Sequence, residues 1–265
     1  GLVTPRTKAI IPVHYTGMPC NMDEVMAVAR SNDLYVVEDC AHSIEGRYKG
    51  QATGTFGDAG VFSFYATKNI AVGEGGMVVA RSEELAHRIS TLSLHGLSRG
   101  AWQRFSQLGK RTYDIVEVGY KANFTDLQAA IALSQLEEIG QNYKRRTEIW
   151  DFYDEELGEL GVTLPKKPSD FRVQHALHLY VCRLPAGINR DAFVEEVSTT
   201  HSLALGIHYK AIPQFALYSR QLGVDETDFP VALSWGRSCV SLSLSPGTSD
   251  SHLERTIAAL KGALS

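Results

Sequence analysis

The chain has few cysteines, few prolines and no long run of apolar residues. Its 265 residues include four cysteines and nine prolines. The cysteines lie far apart and form no CxxC pair, which argues against a disulfide framework or a thiolate metal site. No apolar stretch approaches the length of a bilayer span, and no signal peptide opens the chain. We therefore expect a cytoplasmic protein whose thiols are reduced.

The chain also lacks a strong excess of either charge. Its formal net charge is -4 at neutral pH, so bulk electrostatics do not attract it to nucleic acid or to an anionic membrane. There is no internal repeat and no low-complexity segment. A hydrophobic fraction of 44% with 21% charged residues is typical of a globular protein with one large or two modest domains.

Predicted strands and capped helices alternate through the first half of the chain. Strands at 9–14 and 34–38 flank a helix that begins with a capping box of Asn21 and Glu24. This arrangement is a βαβ unit, whose two strands are parallel. Further strands are predicted at 59–65 and 76–80, and further helices after Ser82 and Thr125. The pattern indicates an α/β fold with a mostly parallel sheet flanked by helices.

The second half of the chain predicts a smaller α/β domain. A long helix from Thr125 to about residue 160 leads into it. The elements that follow are a strand at 178–184, a helix at 191–200, strands at 204–209 and 239–244, and a helix at 249–260. We therefore predict a large domain over 1–140, and a linking helix with a smaller domain over 141–265.

An aspartate and a lysine follow two of the predicted strands. Asp39 ends one strand, Lys68 follows the next, and ligands gather at the carboxyl ends of parallel strands. A lysine amine can form a Schiff base with the aldehyde of pyridoxal phosphate (PLP), while an aspartate can keep the pyridine nitrogen protonated. Taken singly, Asp39 could be a helix cap and Lys68 a solvated charge. Together, in this order, they indicate a PLP site.

Other readings of the polar residues are weaker. An acyl-transfer site built on Ser63 and Lys68 lacks the serine-x-x-lysine spacing and any companion motif. The glycines at 73–76 lack the GxGxxG pattern and indicate a turn between strands. In the polar loop over 97–120, Arg99, Trp102 and Arg104 are either solvated or able to meet a nucleotide. Three histidines lack metal-ligand spacing, namely His14, His95 and His208.

The sequence around Asp39 and Lys68 resembles the DegT/DnrJ/StrS family of sugar aminotransferases. The similar blocks run in order along nearly the whole chain, at 36–42, 54–58, 63–69, 73–76, 95–96, 119–130 and 206–210. The resemblance implies the aspartate-aminotransferase fold, which is PLP-dependent transferase fold type I. Residues 1–140 would then be the PLP-binding domain.

The resemblance also implies roles for individual residues around the cofactor. Lys68 would form the Schiff base and carry the proton during transamination, which requires a neutral amine and hence a lowered pKa. Asp39 would pair with the pyridine nitrogen, and Ala41 would leave room beneath the ring. His42 would lie near the phenolic oxygen, where the family often has glutamine. Ser63 would bind the cofactor phosphate.

Two further residues would contact a second subunit's cofactor and the substrate. Asn123 would reach the cofactor phosphate of a second subunit, which makes the active site a property of a homodimer. His208 is the candidate residue for substrate binding. Family members carry, before the first strand seen here, a segment that grips the phosphate and stacks on the ring, and residues 1–8 supply neither. We therefore expect a fragment of a longer chain, or a degenerate protein that holds the cofactor poorly.

The implied activity is PLP-dependent transamination of a nucleotide-linked keto-deoxysugar in amino-sugar biosynthesis, with glutamate as amine donor. Lysine at position 68 argues against the dehydratases of the family, which have histidine there. The loop before Asn123 and the residues 119–121 favour amination at C4 over C3. The alternative is a non-catalytic or regulatory protein of the same fold that binds PLP weakly or not at all.

Overall fold

A computed structural model describes residues 2–98, 114–168, 170 and 172–264, and it divides into two compact units. The first unit comprises Gly1–Ile139 and Asp170–Ala176, and the second comprises Gly140–Ser169 and Leu177–Ser265. The predicted domains, 1–140 and 141–265, stay a prediction, and the segment Asp170–Ala176, which lies within the second range, belongs to the first unit. The predicted loop residues Arg99, Trp102 and Arg104 lie outside the described residues.

The first unit contains a four-stranded sheet in the order β1-β2-β5-β6. Its strands are β1 (Ala9–Ile10), β2 (Tyr35–Asp39), β5 (Ala59–Ser63) and β6 (Gly76–Ala80), and a short hairpin of β3 (Arg47–Tyr48) and β4 (Gln51–Ala52) lies beside it. The pairs β1-β2 and β2-β5 are parallel, whereas β6 is antiparallel to β5. The sheet is thus mostly parallel, as predicted, and β2 and β5 end at the same edge.

Helix α1 (Met22–Ser31) connects β1 to β2 and begins as predicted. Asn21 accepts a hydrogen bond from the backbone of Glu24 and donates one to its carboxylate at 2.7 Å. The strand predicted over 9–14 is shorter, because Pro12 has no N–H to donate to the ladder. Beyond it, Val13 forms a single parallel bridge to Asp39. The buried apolar residues of α1 and β2 form a small core with Tyr48.

Two further helices of the first half also begin at the predicted caps. The side chain of Ser82 accepts from the backbone of Leu85 at the start of α2 (Glu83–Ser93). Thr125 and Gln128 form a reciprocal capping box at the start of α3 (Asp126–Leu157). Although α3 has 32 residues, no helix among those described is both long enough and apolar enough to cross a bilayer.

The second unit packs helices against a two-stranded antiparallel sheet. Strands β7 (Tyr180–Arg183) and β8 (Cys239–Leu242) pair with each other. The helices after α3 are α4 (Arg190–His201), α5 (Ala216–Leu222), α6 (Pro230–Ser238) and α7 (Asp250–Leu264). A buried apolar core joins the C-terminal part of α3 to both strands, α4 and α7. This agrees with the predicted smaller α/β architecture.

The strand predicted at 204–209 is wrong. Within this segment, the described structure has one isolated bridge, between Gly206 and Ser241 of β8. The side chain of His208 turns back to the same partner, with Nδ1 2.7 Å from the Ser241 hydroxyl. The apolar pattern of the segment is that of a strand, but the chain leaves the sheet after a single bridge and begins a 3-10 helix at Ile212.

The buried His175 makes the stability of the fold sensitive to acid. Burial lowers its pKa to about 4, from an ordinary value of 6.5. Between these values the unfolded chain binds more protons than the native protein, so stability falls as the pH falls through this window. The free energy of unfolding falls by about 3 kcal/mol over this pH range.

Chemical unfolding of wild type and His175→Gln at about pH 7 and about pH 4.5 measures this contribution. We expect the free energy of unfolding to fall less between the two pH values in the variant. His87, which is exposed on α2, provides the matched control His87→Gln. Equal losses in wild type and His175→Gln would contradict the prediction.

Candidate active site

The structure places Asp39 and Lys68 at the same edge of the sheet. Asp39 is the last residue of β2 and lies opposite Val61 of the parallel neighbour β5. β5 ends at Ser63, and the turn that follows carries Lys68, whose N–H donates to the carbonyl of Tyr65. Strand alternation turns Glu38 into the buried side of the sheet and leaves Asp39 half-buried. The two residues therefore lie at the carboxyl ends of neighbouring parallel strands, where the charge of Asp39 acts on Lys68.

The surroundings of Lys68 act on its amine in opposite directions. Burial lowers its pKa, because the charged ammonium loses solvation, while the negative charge of Asp39 raises it. Burial is the larger effect, so the pKa of Lys68 lies below its usual value of 10.5. The predicted direction is confirmed. The amine is thus shifted toward the neutral form that nucleophilic attack and proton acceptance require.

Ala41 and His42 follow Asp39 directly after the end of β2. The backbone N–H of Ala41 donates to Oδ1 of Asp39 at 3.0 Å, which orients the carboxylate. The Nδ1 atom of His42 accepts a hydrogen bond from the backbone of Thr16 at 3.3 Å. Because this nitrogen is an acceptor, the ring proton of a neutral His42 is on Nε2. Both residues are half-buried at the same end of the sheet as Lys68.

Ser63 keeps hydrogen-bonding capacity at the end of β5. Its hydroxyl oxygen accepts from the N–H of Tyr65 at 3.3 Å, which leaves the hydroxyl proton able to donate. The residue is half-buried and is paired with Gly76 across the sheet. A hydroxyl donor at this edge suits an anionic oxygen.

Two side chains that the sequence analysis gave no role hold the Lys68 turn. Asn69 donates to a carboxylate oxygen of Glu45 at 2.8 Å and to the carbonyl of Ala176 at 3.0 Å. Gln135 of α3 accepts from the N–H of Ala71 at 2.9 Å and donates to its carbonyl at 2.7 Å. These bonds fix the chain directly after the lysine. Their partners are far away in sequence, so no local pattern signals them.

Glu38, the residue before Asp39, also has a structural role that the sequence analysis did not predict. Its carboxylate is fully buried and accepts hydrogen bonds from the backbone of Gly54, Phe56 and Gly57 at 2.7–2.8 Å. The Nε2 atom of His14, also fully buried, lies 3.1 Å from the same carboxylate. Burial opposes ionisation of Glu38, but these hydrogen bonds outweigh it and hold its pKa below 4.5.

Cys40 completes a buried group with His14 and Glu38, whose potential ligand atoms lie within 4.8 Å of one another. Such a trio could suggest a metal site. However, Nδ1 of His14 accepts from the backbone of Cys20 at 3.0 Å, and both oxygens of Glu38 are hydrogen-bonded. The lone pairs that a metal would need are already in use. We therefore interpret the trio as a structural network.

The remaining candidates are Asn123 and His208. Asn123 belongs to the first unit and is exposed, two residues before the capping residue Thr125 of α3. His208 belongs to the second unit, where it is half-buried and its ring lies against that of Tyr209, with centroids 4.8 Å apart. The first unit therefore contains Asp39, Ala41, His42, Ser63 and Lys68 as one group.

Comparison with known sequences gives consistent results. The sequence model of the DegT/DnrJ/EryC1/StrS aminotransferase family matches residues 1–261. The chain is 41% identical over 263 residues to the spore coat polysaccharide biosynthesis protein SpsC of Bacillus subtilis. The aligned region covers 98% of this chain and 67% of that protein. The chain is also 44% identical over 265 residues to the uncharacterized protein MJ1066 of Methanocaldococcus jannaschii, with the same shares covered.

Solved structures show the same relationship. The putative sugar aminotransferase Spr1654 of Streptococcus pneumoniae, in its PMP form, superposes with a TM-score of 0.89 at 31% identity, over 99% of this chain and 70% of that one. Its PLP form superposes with a TM-score of 0.88. The predicted fold class and cofactor are confirmed. The chain thus belongs to the DegT/DnrJ/EryC1/StrS aminotransferase family of PLP-dependent sugar aminotransferases.

Proposed function

We propose that the chain transfers an amino group from glutamate to a nucleotide-linked keto-deoxysugar, at C4, in amino-sugar biosynthesis. One observation carries the proposal, namely the half-buried Lys68, whose pKa is lowered by burial and influenced by the charge of Asp39, at the carboxyl edge of the sheet. The relationship to a spore coat polysaccharide biosynthesis protein supports a sugar pathway. The C4 position is supported by the sequence before Asn123.

The polar groups at this edge of the sheet have the chemistry needed to bind PLP. A lysine amine with a lowered pKa suits the aldehyde, a carboxylate suits a protonated pyridine nitrogen, and a hydroxyl donor suits a phosphate. Lys68, Asp39 and Ser63 are the residues proposed for these roles. The Nε2–H of His42 suits the phenolic oxygen, and the small side chain of Ala41 leaves space for the ring. When bound, PLP supplies an electron sink for the carbon that loses a proton.

The protein's own contribution is proton movement and charge placement. Lys68 takes a proton from the amino-bearing carbon of glutamate and returns a proton in the half-reaction with the sugar, which its neutral amine permits. Burial lowers the pKa of that amine, and the charge of Asp39 limits how far the pKa falls. The hydrogen bonds of Asn69 and Gln135 hold the lysine turn in place between the two half-reactions.

The remaining roles are proposed for residues outside the main group. Asn123 is proposed to reach the cofactor phosphate of a second subunit, and its exposure leaves it accessible to such a partner. His208 is proposed to contact the sugar substrate. Its Nδ1 is held by the Ser241 hydroxyl, which orients the ring. On this proposal the working enzyme is a homodimer.

A substrate panel tests the position of amination. The purified protein, supplied with PLP and glutamate, is given nucleotide-linked 4-keto and 3-keto deoxysugars and the same sugars without a nucleotide, and 2-oxoglutarate is measured. We expect release of 2-oxoglutarate with the nucleotide-linked 4-keto sugar. Turnover of the 3-keto sugar alone would contradict the C4 assignment, and equal turnover of the free sugars would contradict the nucleotide requirement.

A further inference from the structure

The backbone of Asp39 is held between two residues of the segment that follows β1. Its N–H donates to the carbonyl of Pro12 at 2.9 Å, and its carbonyl accepts from the N–H of His14 at 3.1 Å. Its position therefore depends on where residues 12–14 lie. This segment is not part of the regular β1-β2 ladder, which ends at Ile10. Beyond Ile10 the segment meets β2 only through the single bridge between Val13 and Asp39 among the described pairings.

The side chains of His14 and Glu38 add a second link between this segment and β2. Glu38 belongs to β2, directly before Asp39, and its carboxylate lies 3.1 Å from Nε2 of His14. The other ring nitrogen accepts from the N–H of Cys20, so Nε2 is the nitrogen that donates to Glu38. Both side chains are fully buried, where a hydrogen bond to a carboxylate is not weakened by water.

Both oxygens of the Glu38 carboxylate are also tied to the turn before β5. The N–H groups of Gly54, Phe56 and Gly57 converge on it. A Cβ on Gly57 would lie 2.3 Å from the carbonyl oxygen of Val36, so this turn presses directly against β2. One carboxylate thus joins the segment at 12–14, the strand β2 and the turn at 54–57.

We propose that Glu38, through its hydrogen bond with His14, is a positioning residue for the Asp39 carboxylate, an inference that rests on the cofactor-pairing role proposed for Asp39. The link fixes the backbone on both sides of Asp39, and the Ala41 N–H then sets the direction of its carboxylate. When the link is broken, residues 12–14 are released and the carboxylate loses its fixed position relative to Lys68.

Variants of His14 separate this role from general stability. Asparagine at position 14 offers an acceptor near Nδ1 for the Cys20 N–H but no donor to Glu38, whereas glutamine offers a donor near Nε2 and loses the Nδ1 acceptor. His14→Asn therefore breaks the link and His14→Gln keeps it. Asp58→Asn is the control, because Asp58 accepts from the N–H of Val36 in the same strand pair, away from Asp39.

The measurement uses the protein without cofactor. An amine-selective reagent labels Lys68 over a series of pH values, mass spectrometry follows its peptide, and the pH profile gives the pKa of the amine. Because the Asp39 charge raises that pKa, its displacement lowers it. We expect His14→Asn to show a pKa lower by about half a unit, or about threefold faster labelling at a fixed pH, with Asp39→Asn as the limiting case.

His14→Gln and Asp58→Asn should keep the wild-type labelling profile. A lower melting temperature of His14→Asn with an unchanged profile would overturn the proposal and leave Glu38 a purely structural role. A profile of His14→Gln as shifted as that of His14→Asn would also overturn it. Because no PLP is used, these results stand apart from the proposed function, which fails instead if wild-type protein binds no PLP.

Discussion

Replacing Lys68 by alanine should abolish the covalent attachment of PLP and reduce transamination by at least about 10²–10⁴-fold, which is the contribution of proton transfer alone. Wild-type protein mixed with PLP should develop a yellow absorbance band that borohydride reduction fixes to the Lys68 peptide. The physical reason is the half-buried amine, whose pKa burial has lowered toward reactivity. Lys68→Ala has no amine at this place.

Lys144→Ala provides the matched control, because Lys144 is exposed on α3. This variant should keep both the band and the borohydride-stable attachment. A band that persists in Lys68→Ala would show that another lysine binds the aldehyde. Wild-type dimer without any band would favour the alternative of a protein that keeps the fold but does not bind PLP.

Replacing Glu38 by alanine should lower the free energy of unfolding by at least about 4 kcal/mol, because four buried donors lose the carboxylate that accepts from them. The substitution leaves the N–H groups of Gly54, Phe56 and Gly57 and the Nε2–H of His14 without their acceptor. Each buried donor that loses its partner costs about 1–3 kcal/mol. Against a typical total of about 5–15 kcal/mol, such a loss is enough to depopulate the fold at physiological temperature.

Urea unfolding followed by circular dichroism measures this loss. Glu137→Ala, at an exposed position of α3, is the control and should change the midpoint little. Glu38→Gln should also be destabilised, because its amide nitrogen faces the N–H of Gly54 and the Nε2–H of His14. A loss in Glu38→Ala as small as that in Glu137→Ala would contradict the buried network.

Local sequence signals predicted most of the elements around the site. The capping boxes at Asn21 and Thr125 and the strand Gly76–Ala80 depend on residues within a few positions of one another. The segment 204–209 has the apolar pattern of a strand but forms one bridge, because strand formation there needs a partner that continues alongside it. The apolar pattern of residues 204–209 could not show how far the neighbouring strand β8 runs alongside them.

Some residues of the candidate site could likewise be predicted from the sequence, and others could not. Asp39 and Lys68 could be found from their places after strands, and the surrounding motifs from their similarity to a family. The roles of Glu38, Asn69 and Gln135 could not, because each depends on partners from distant segments. The Gln135 amide, for example, meets the backbone of Ala71 across 64 positions of sequence.

The amino-acid sequence is thus sufficient for the type of chemistry, the family and most of the elements around the site, because all three are carried by short motifs and by the spacing of polar and apolar residues. The protonation of Lys68 and the support of Asp39 are properties of the folded chain. They depend on burial and on hydrogen bonds from Pro12, His14 and the turn at 54–57, and these groups meet only when the strands are packed together.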